Sequence, residues 1–75
     1  MKITSTKQAN QVLHTLRRLA NLSRPGLSRR LHVSSQTLRD REQNRRGLSV
    51  DALVETANVL GYDVILLRRE TGRPA

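Results

Sequence analysis

Leu22 to Gly47 reads LSRPGLSRRLHVSSQTLRDREQNRRG, and this stretch decides the fold. Ser23 is an N-cap candidate, and Pro25 sits in the first turn that follows, where a missing N–H costs little. Leu27 and Leu31 lie at i and i+4 and turn inward, so the spacing predicts a short helix from Arg24 to about Leu31. Gly26 weakens it somewhat. His32-Val33 is too brief for anything but a tight turn. Ser34 or Ser35 caps a further helix running to about Gln43, with Leu38 its one clear apolar residue. Placing Leu38 inward and rotating about 100° per residue turns Gln36, Asp40 and Gln43 away from the core. Arg39 falls on the flank and Glu42 near the inward side. A helix with one buried anchor leaves its outer face free for a partner.

The flanks fit around this pair. Met1 to Thr4 is a frayed end or a small strand, and Ser5 or Thr6 caps a first helix. Ala9, Val12, Leu13, Leu16 and Leu19 form its apolar stripe over about four turns. Asn21 can end it, because Asn tolerates the left-handed conformation. After the basic loop Asn44-Arg45-Arg46-Gly47, Ser49 caps a fourth helix with Asp51 in its first turn. Val50, Leu53, Val54, Ala57 and Leu60 repeat the stripe, and Gly61 is a C-cap signal. The pattern then changes. Tyr62, Val64, Ile65, Leu66 and Leu67 form a β-branched and aliphatic run that reads as a strand over about 62–69, apolar on both faces. An exposed apolar edge invites pairing, and the economical partner is the same strand of a second copy. A fifth, buried helix is the alternative for this run. Glu70 to Ala75 is expected to be a loose tail.

Composition narrows the function. With 75 residues and no cysteine, the chain is one small domain (1–75) without disulfides or thiolate metal sites. Oligomerisation is then the expected source of extra stability. The balance is 14 basic against 6 acidic residues, a net charge of +8, and twelve of the basic residues are Arg. That excess points to a polyanionic partner, and the planar guanidinium suits phosphates and guanine edges. Tyr62 is the only aromatic residue, which argues against binding single strands by stacking bases on rings. No apolar run approaches the roughly 20 residues that span a bilayer. The start, Met1-Lys2-Ile3-Thr4-Ser5, lacks a signal-peptide core, so the expectation is a soluble protein of a prokaryotic or phage-infected cytoplasm. His14 and His32 stand alone without ligand spacing, and neither a metal site nor a cofactor is expected. No catalytic constellation is present, so no enzyme is expected. The Arg residues are spread over loops and several helices rather than one polar face, which disfavours a basic amphipathic membrane or RNA binder.

Two helices joined by a very short turn, the second polar outside, are the elements of a helix-turn-helix, here about 23–43. In such a unit the second helix enters the major groove and the N-terminus of the first offers N–H groups to a phosphate. The stretch resembles the helix-turn-helix of the Cro and lambda-repressor type, the XRE-like family, whose common pattern is L-S-Q-x-x-L-A-x-x-L-G-V-S-x-x-T-I-x-x-W-E-x-G. Leu22, Ser23, Leu27, Leu31, Val33, Ser34, Thr37, Leu38 (for Ile) and Glu42 match it. SVDALVETANVLGYDV resembles that family's fourth helix. The likeness covers Leu13 to about Val64. His32 stands for the usual turn Gly, Pro25 and Gly26 for helix formers, Arg41 for Trp and Asn44 for Gly.

The resemblance implies a mainly α, four-helix lambda-repressor-like domain. It implies base reading by Ser35, Gln36, Arg39 and Asp40. Gln36 suits adenine and Arg39 guanine, while Asp40 either accepts from cytosine N4 or orients Arg39. Arg24, Ser34, Gln43, Arg45 and Arg46 are the expected phosphate contacts. Arg17 and Glu42 hold the family's structural ion-pair positions. The function implied is a repressor that binds a palindromic double-stranded DNA operator as a homodimer. ANVLGYDVILLRRE, Ala57 to Glu70, is also similar to antitoxins that bind kinase-type toxins and repress their own operon, which makes a toxin a second possible partner. The short tail after Leu67 leaves little room for a separate toxin-binding segment.

Overall fold

Every helix starts on a serine and ends on a residue with positive φ. The computed structural model describes residues 1–75 and contains α1 (Thr6–Leu19), α2 (Arg24–Leu31), α3 (Ser35–Glu42) and α4 (Val50–Val59). Ser5, Ser23, Ser34 and Ser49 are the N-caps, and each hydroxyl accepts a backbone N–H three residues on, at 3.0–3.1 Å. Such a cap satisfies one of the four N–H groups that a helix start leaves unpaired.

The exits are alike. Asn21, His32, Asn44 and Gly61 have φ of 55°, 56°, 57° and 93°. At α3, Asn44 N donates to Arg41 O and Arg45 N to Asp40 O, the paired bonds of a Schellman turn. The same pair recurs at Asn21 and Leu22, at His32 and Val33, and at Gly61 and Tyr62. His32 therefore keeps the turn geometry that glycine commonly supplies and carries a side chain in a strained region.

α3 packs on α1 and α2, and α4 packs on the same two helices. The core is small and aliphatic: Ala9, Leu13 and Leu16 from α1, Leu27 from α2, Leu38 from α3 and Ala57 from α4. The apolar stripes run out at the helix ends. Leu19 and Val50, expected inside, are 69% and 74% exposed, because they occupy a last turn and a first turn that lie beyond the core.

After Gly61 every residue is exposed. The expected strand over 62–69 does not form within the chain, nor does a fifth helix. A strand needs a neighbouring edge, and here only the tail supplies one. Leu67 forms an isolated antiparallel bridge with Pro74, Ala75 N donates to Leu66 O at 3.0 Å, and Arg68 N to Arg73 O at 2.7 Å. The tail is thus folded back through Gly72 (φ 67°) rather than loose. Backbone groups alternate sides along extended chain, so the returning tail covers the side of Leu66 and Arg68 and leaves the side of Asp63, Ile65 and Leu67 open. Met1 to Thr4 forms no strand.

The total accessible surface is 5630 Å². A folded monomer of 8.5 kDa is expected to expose about 4,700 Å². The excess fits the elongated 39 × 23 × 20 Å shape and the uncovered residues after Gly61.

Candidate nucleic-acid interface

Glu42, at the end of α3, is the electrostatic centre of the domain. Its side chain is 4% exposed, and all three ion pairs of the chain converge on it. Arg17 Nε donates to Oε2 at 2.6 Å and Arg17 Nη2 to Oε1 at 3.2 Å. Arg24 Nε donates to Oε1 at 2.7 Å, and His14 Nε2 lies 3.8 Å from the same oxygen. Arg17 Nη1 also donates to Leu22 O at 2.6 Å, which ties the end of α1 to the loop before α2. Burial alone raises the Glu42 pKa. Hydrogen bonds from Arg17 and Arg24, then the charges of Arg17 and His14, outweigh it, and the carboxyl sits below its ordinary value. α3 is therefore held at one end by this pairing and in its middle by Leu38, 4% exposed.

The structure brings Arg17 and Glu42 together and adds Arg24, which the family resemblance assigned to a phosphate. Its side chain is 34% exposed, so the guanidinium is shared between Glu42 and the surface. A shallow groove of about 500 Å³ lies beside it, lined by His14, Arg17, Arg18, Ser23, Arg24 and Pro25. Arg18 was not singled out from the sequence. It sits one residue from Arg17 in the last turn of α1, where the apolar stripe gives no reason to notice it.

On α3 the residues expected to meet bases are on or near the surface. Gln36 and Arg39 are exposed and Asp40 is half-buried. Gln36 Nε2 donates to Asp40 Oδ1 at 2.9 Å. Ser35, exposed overall, has its hydroxyl 3.1 Å from that of Ser28, which in turn donates to Pro25 O, so it helps fasten α3 to α2. Ser34 is occupied as the cap of α3 and also donates to Thr37 Oγ1 at 2.9 Å. Gln43, Arg45 and Arg46 are exposed just beyond the helix.

That basic loop is anchored from inside. Asn10, 2% exposed, donates through Nδ2 to Arg46 O at 3.4 Å and to Asn44 Oδ1 at 3.5 Å. Asn10 Oδ1 and Arg41 Nε are buried without a partner in the chain. Both residues line one cavity of about 10 Å³, together with Leu13, His14, Leu27, Leu38, Glu42 and Thr56. No helix is long and apolar enough to cross a membrane. No group of three or more His, Asp or Glu side chains gathers as a metal site would need. Comparison with protein-family models, curated proteins and solved structures gives no match to this chain.

Proposed function

We propose that this chain is a sequence-specific double-stranded DNA-binding repressor of the XRE-like helix-turn-helix type, reading an inverted repeat as a homodimer. The observation that carries the reading is α3 itself. It is fixed from within by Leu38 and by Glu42, yet it presents Gln36 and Arg39 outward, with the half-buried Asp40 bonded to Gln36, on a domain of net charge +8. A rigid helix with polar groups on its outer face and cations around it has the chemistry of major-groove readout. α2 crosses the backbone in this scheme. Its N-terminus, the groove with Arg18 and Arg24, and the loop with Arg45 and Arg46 are the phosphate-facing parts.

A homodimer suits the surface bookkeeping. The excess of roughly 900 Å² over the monomer expectation is close to the ~800 Å² that each partner buries in a standard interface. Tyr62, Ile65, Leu66 and Leu67 are 49%, 62%, 78% and 55% exposed, and one backbone edge of the segment is open. Two recognition helices in such a dimer stand about 34 Å apart, one helical turn of DNA.

The test is selection of bound duplexes from a random library at about 150 mM salt, repeated with Gln36→Ala and Arg39→Ala. A palindromic motif that relaxes at defined positions in each variant is the expected result. Binding that follows salt alone, with no motif, would overturn the reading. The same exposed apolar segment is also a surface for a different protein, as in an antitoxin. A stoichiometric partner that co-purifies and competes with dimer formation would favour that second role.

A further inference from the structure

We propose that Asp40 is a positioning residue for Gln36, so that the two act as one base-reading unit while Arg39 reads independently; this rests on the DNA-binding reading above.

Asp40 is the one acidic side chain on the outer side of α3, half-buried there, and Arg39, Arg41, Arg45 and Arg46 lie close to it in sequence. A carboxylate facing a polyanion is repelled, so its place there calls for a local task. Orienting Arg39 is one candidate. The geometry argues otherwise, because neighbours at i and i+1 on a helix do not face each other whereas i and i+4 do. The chain's ion pairs all converge on Glu42 and none joins Arg39 to Asp40. Gln36 Nε2, by contrast, donates to Asp40 Oδ1 at 2.9 Å.

This bond has a chemical consequence. It commits one N–H of the Gln36 amide to Asp40 and fixes which way the amide points. Oε1 and the second N–H stay free. Oε1 is then an acceptor for an exocyclic amino group, and the remaining N–H can donate to a ring nitrogen beside it. In the major groove that pair of demands is met by adenine N6 and N7. Without Asp40 the amide rotates freely and can present its donors to guanine or thymine oxygens instead. Asp40 thereby converts an ambivalent amide into a selective one.

Two measurements test this, one without DNA. In the free protein, ¹⁵N relaxation of the Gln36 side-chain amide should show an ordered group. Asp40→Ala should release it, and Asp40→Asn, whose oxygen still accepts, should keep it. Equal order in the wild type and in Asp40→Ala overturns the pairing whatever the protein binds. In library selection, Gln36→Ala is expected to lose about tenfold or more of the preference at one base pair. Asp40→Ala should lose about two- to fivefold at that same base pair, and the double variant no more than Gln36→Ala alone. Asp40→Asn should restore most of the loss. Relaxation at the base pair read by Arg39, additive losses in the double variant, or a uniform gain in affinity for all sequences overturns the positioning role. A wild-type protein that keeps an ordered Gln36 amide but selects no motif overturns it through the DNA-binding reading instead.

Discussion

Glu42→Gln is the change to which the domain should be most sensitive. The carboxylate is 4% exposed and accepts three hydrogen bonds, two from Arg17 and one from Arg24. The amide keeps the shape, but one acceptor becomes a donor that faces a guanidinium. Arg17, itself 10% exposed, then remains inside with its charge uncompensated. Removing one partner of a buried pair typically costs about 3–5 kcal/mol. A domain of 75 residues has about 4–11 kcal/mol in all, so this one substitution consumes from about a quarter to all of it. Urea unfolding followed by far-ultraviolet circular dichroism reads the loss directly. Arg17→Met combined with Glu42→Leu should recover much of it, because both charges leave together. Acid adds a second signature. The Glu42 pKa is lower in the folded chain than in the unfolded one, so its contribution is complete above the ordinary value of about 4.5 and is lost as pH falls through the lowered folded value. Glu42→Gln should abolish that part of the acid transition. A loss under about 1 kcal/mol with an unchanged acid limb would refute a structural role for the pair.

Three further outcomes are expected. His32→Gly should raise the unfolding free energy by up to about 1 kcal/mol, and the urea midpoint with it, since it relieves a side chain held at φ 56°; a fall would show that the imidazole is needed. Arg45→Ala and Arg46→Ala should weaken binding to all DNA sequences alike, and each should reduce the slope of log K against log salt by about 0.9. Ile65→Pro, which removes an N–H from the open edge, should raise the dimer dissociation constant tenfold or more in sedimentation equilibrium while leaving helical content unchanged. Leu66→Pro, on the side that the returning tail covers, should do much less, and equal effects would place the dimer contact elsewhere.

Local chemistry was the legible part of this fold. Ser5, Ser23, Ser34 and Ser49 mark the helix starts because capping depends on a side chain and a backbone only three residues apart. Asn21 and Gly61 mark ends for the same reason. His32 conceals the same turn, because nothing in a histidine announces a left-handed backbone. Leu38, the one clear apolar residue of α3, is its inward anchor, and rotation from it brings Glu42 near the inward side, where both are found. Periodicity failed at Leu19 and Val50, since it treats a helix as endless and cannot see where the core stops. Arg24 reaching Glu42 was not legible, because eighteen residues and the angle between α2 and α3 intervene. Asp40 pairing with Gln36 was within reach, since spacing by four favours it over Arg39. The backward turn of Arg68 to Ala75 hid behind Gly72 and Pro74, which signal a break in regular structure but not where the chain goes next.

The use of charge separates what the fold needs from what it leaves over. Of the 14 basic residues only Arg17 and Arg24 are in ion pairs, so 14 − 2 = 12 are unpaired. Of the 6 acidic residues Glu42 alone is paired with them, which leaves 6 − 1 = 5. The side chains outside the ion-pair cluster thus carry a net charge of 12 − 5 = +7, which mutual repulsion makes slightly unfavourable for a compact chain. Stability does not account for that surplus: the core is closed by six aliphatic residues and the lock on α3 uses one carboxylate. An apolar residue at position 42 would be an equally simple way to bury the end of α3, but it would strand Arg17 and give the helix no preferred direction. The ion pair supplies that direction, because a bidentate guanidinium accepts a carboxylate in one geometry whereas apolar packing tolerates several. A domain that fixes the angle of one short polar helix so closely, and holds most of its positive charge out of its own ion pairs, has the features that the DNA-binding function proposed above requires.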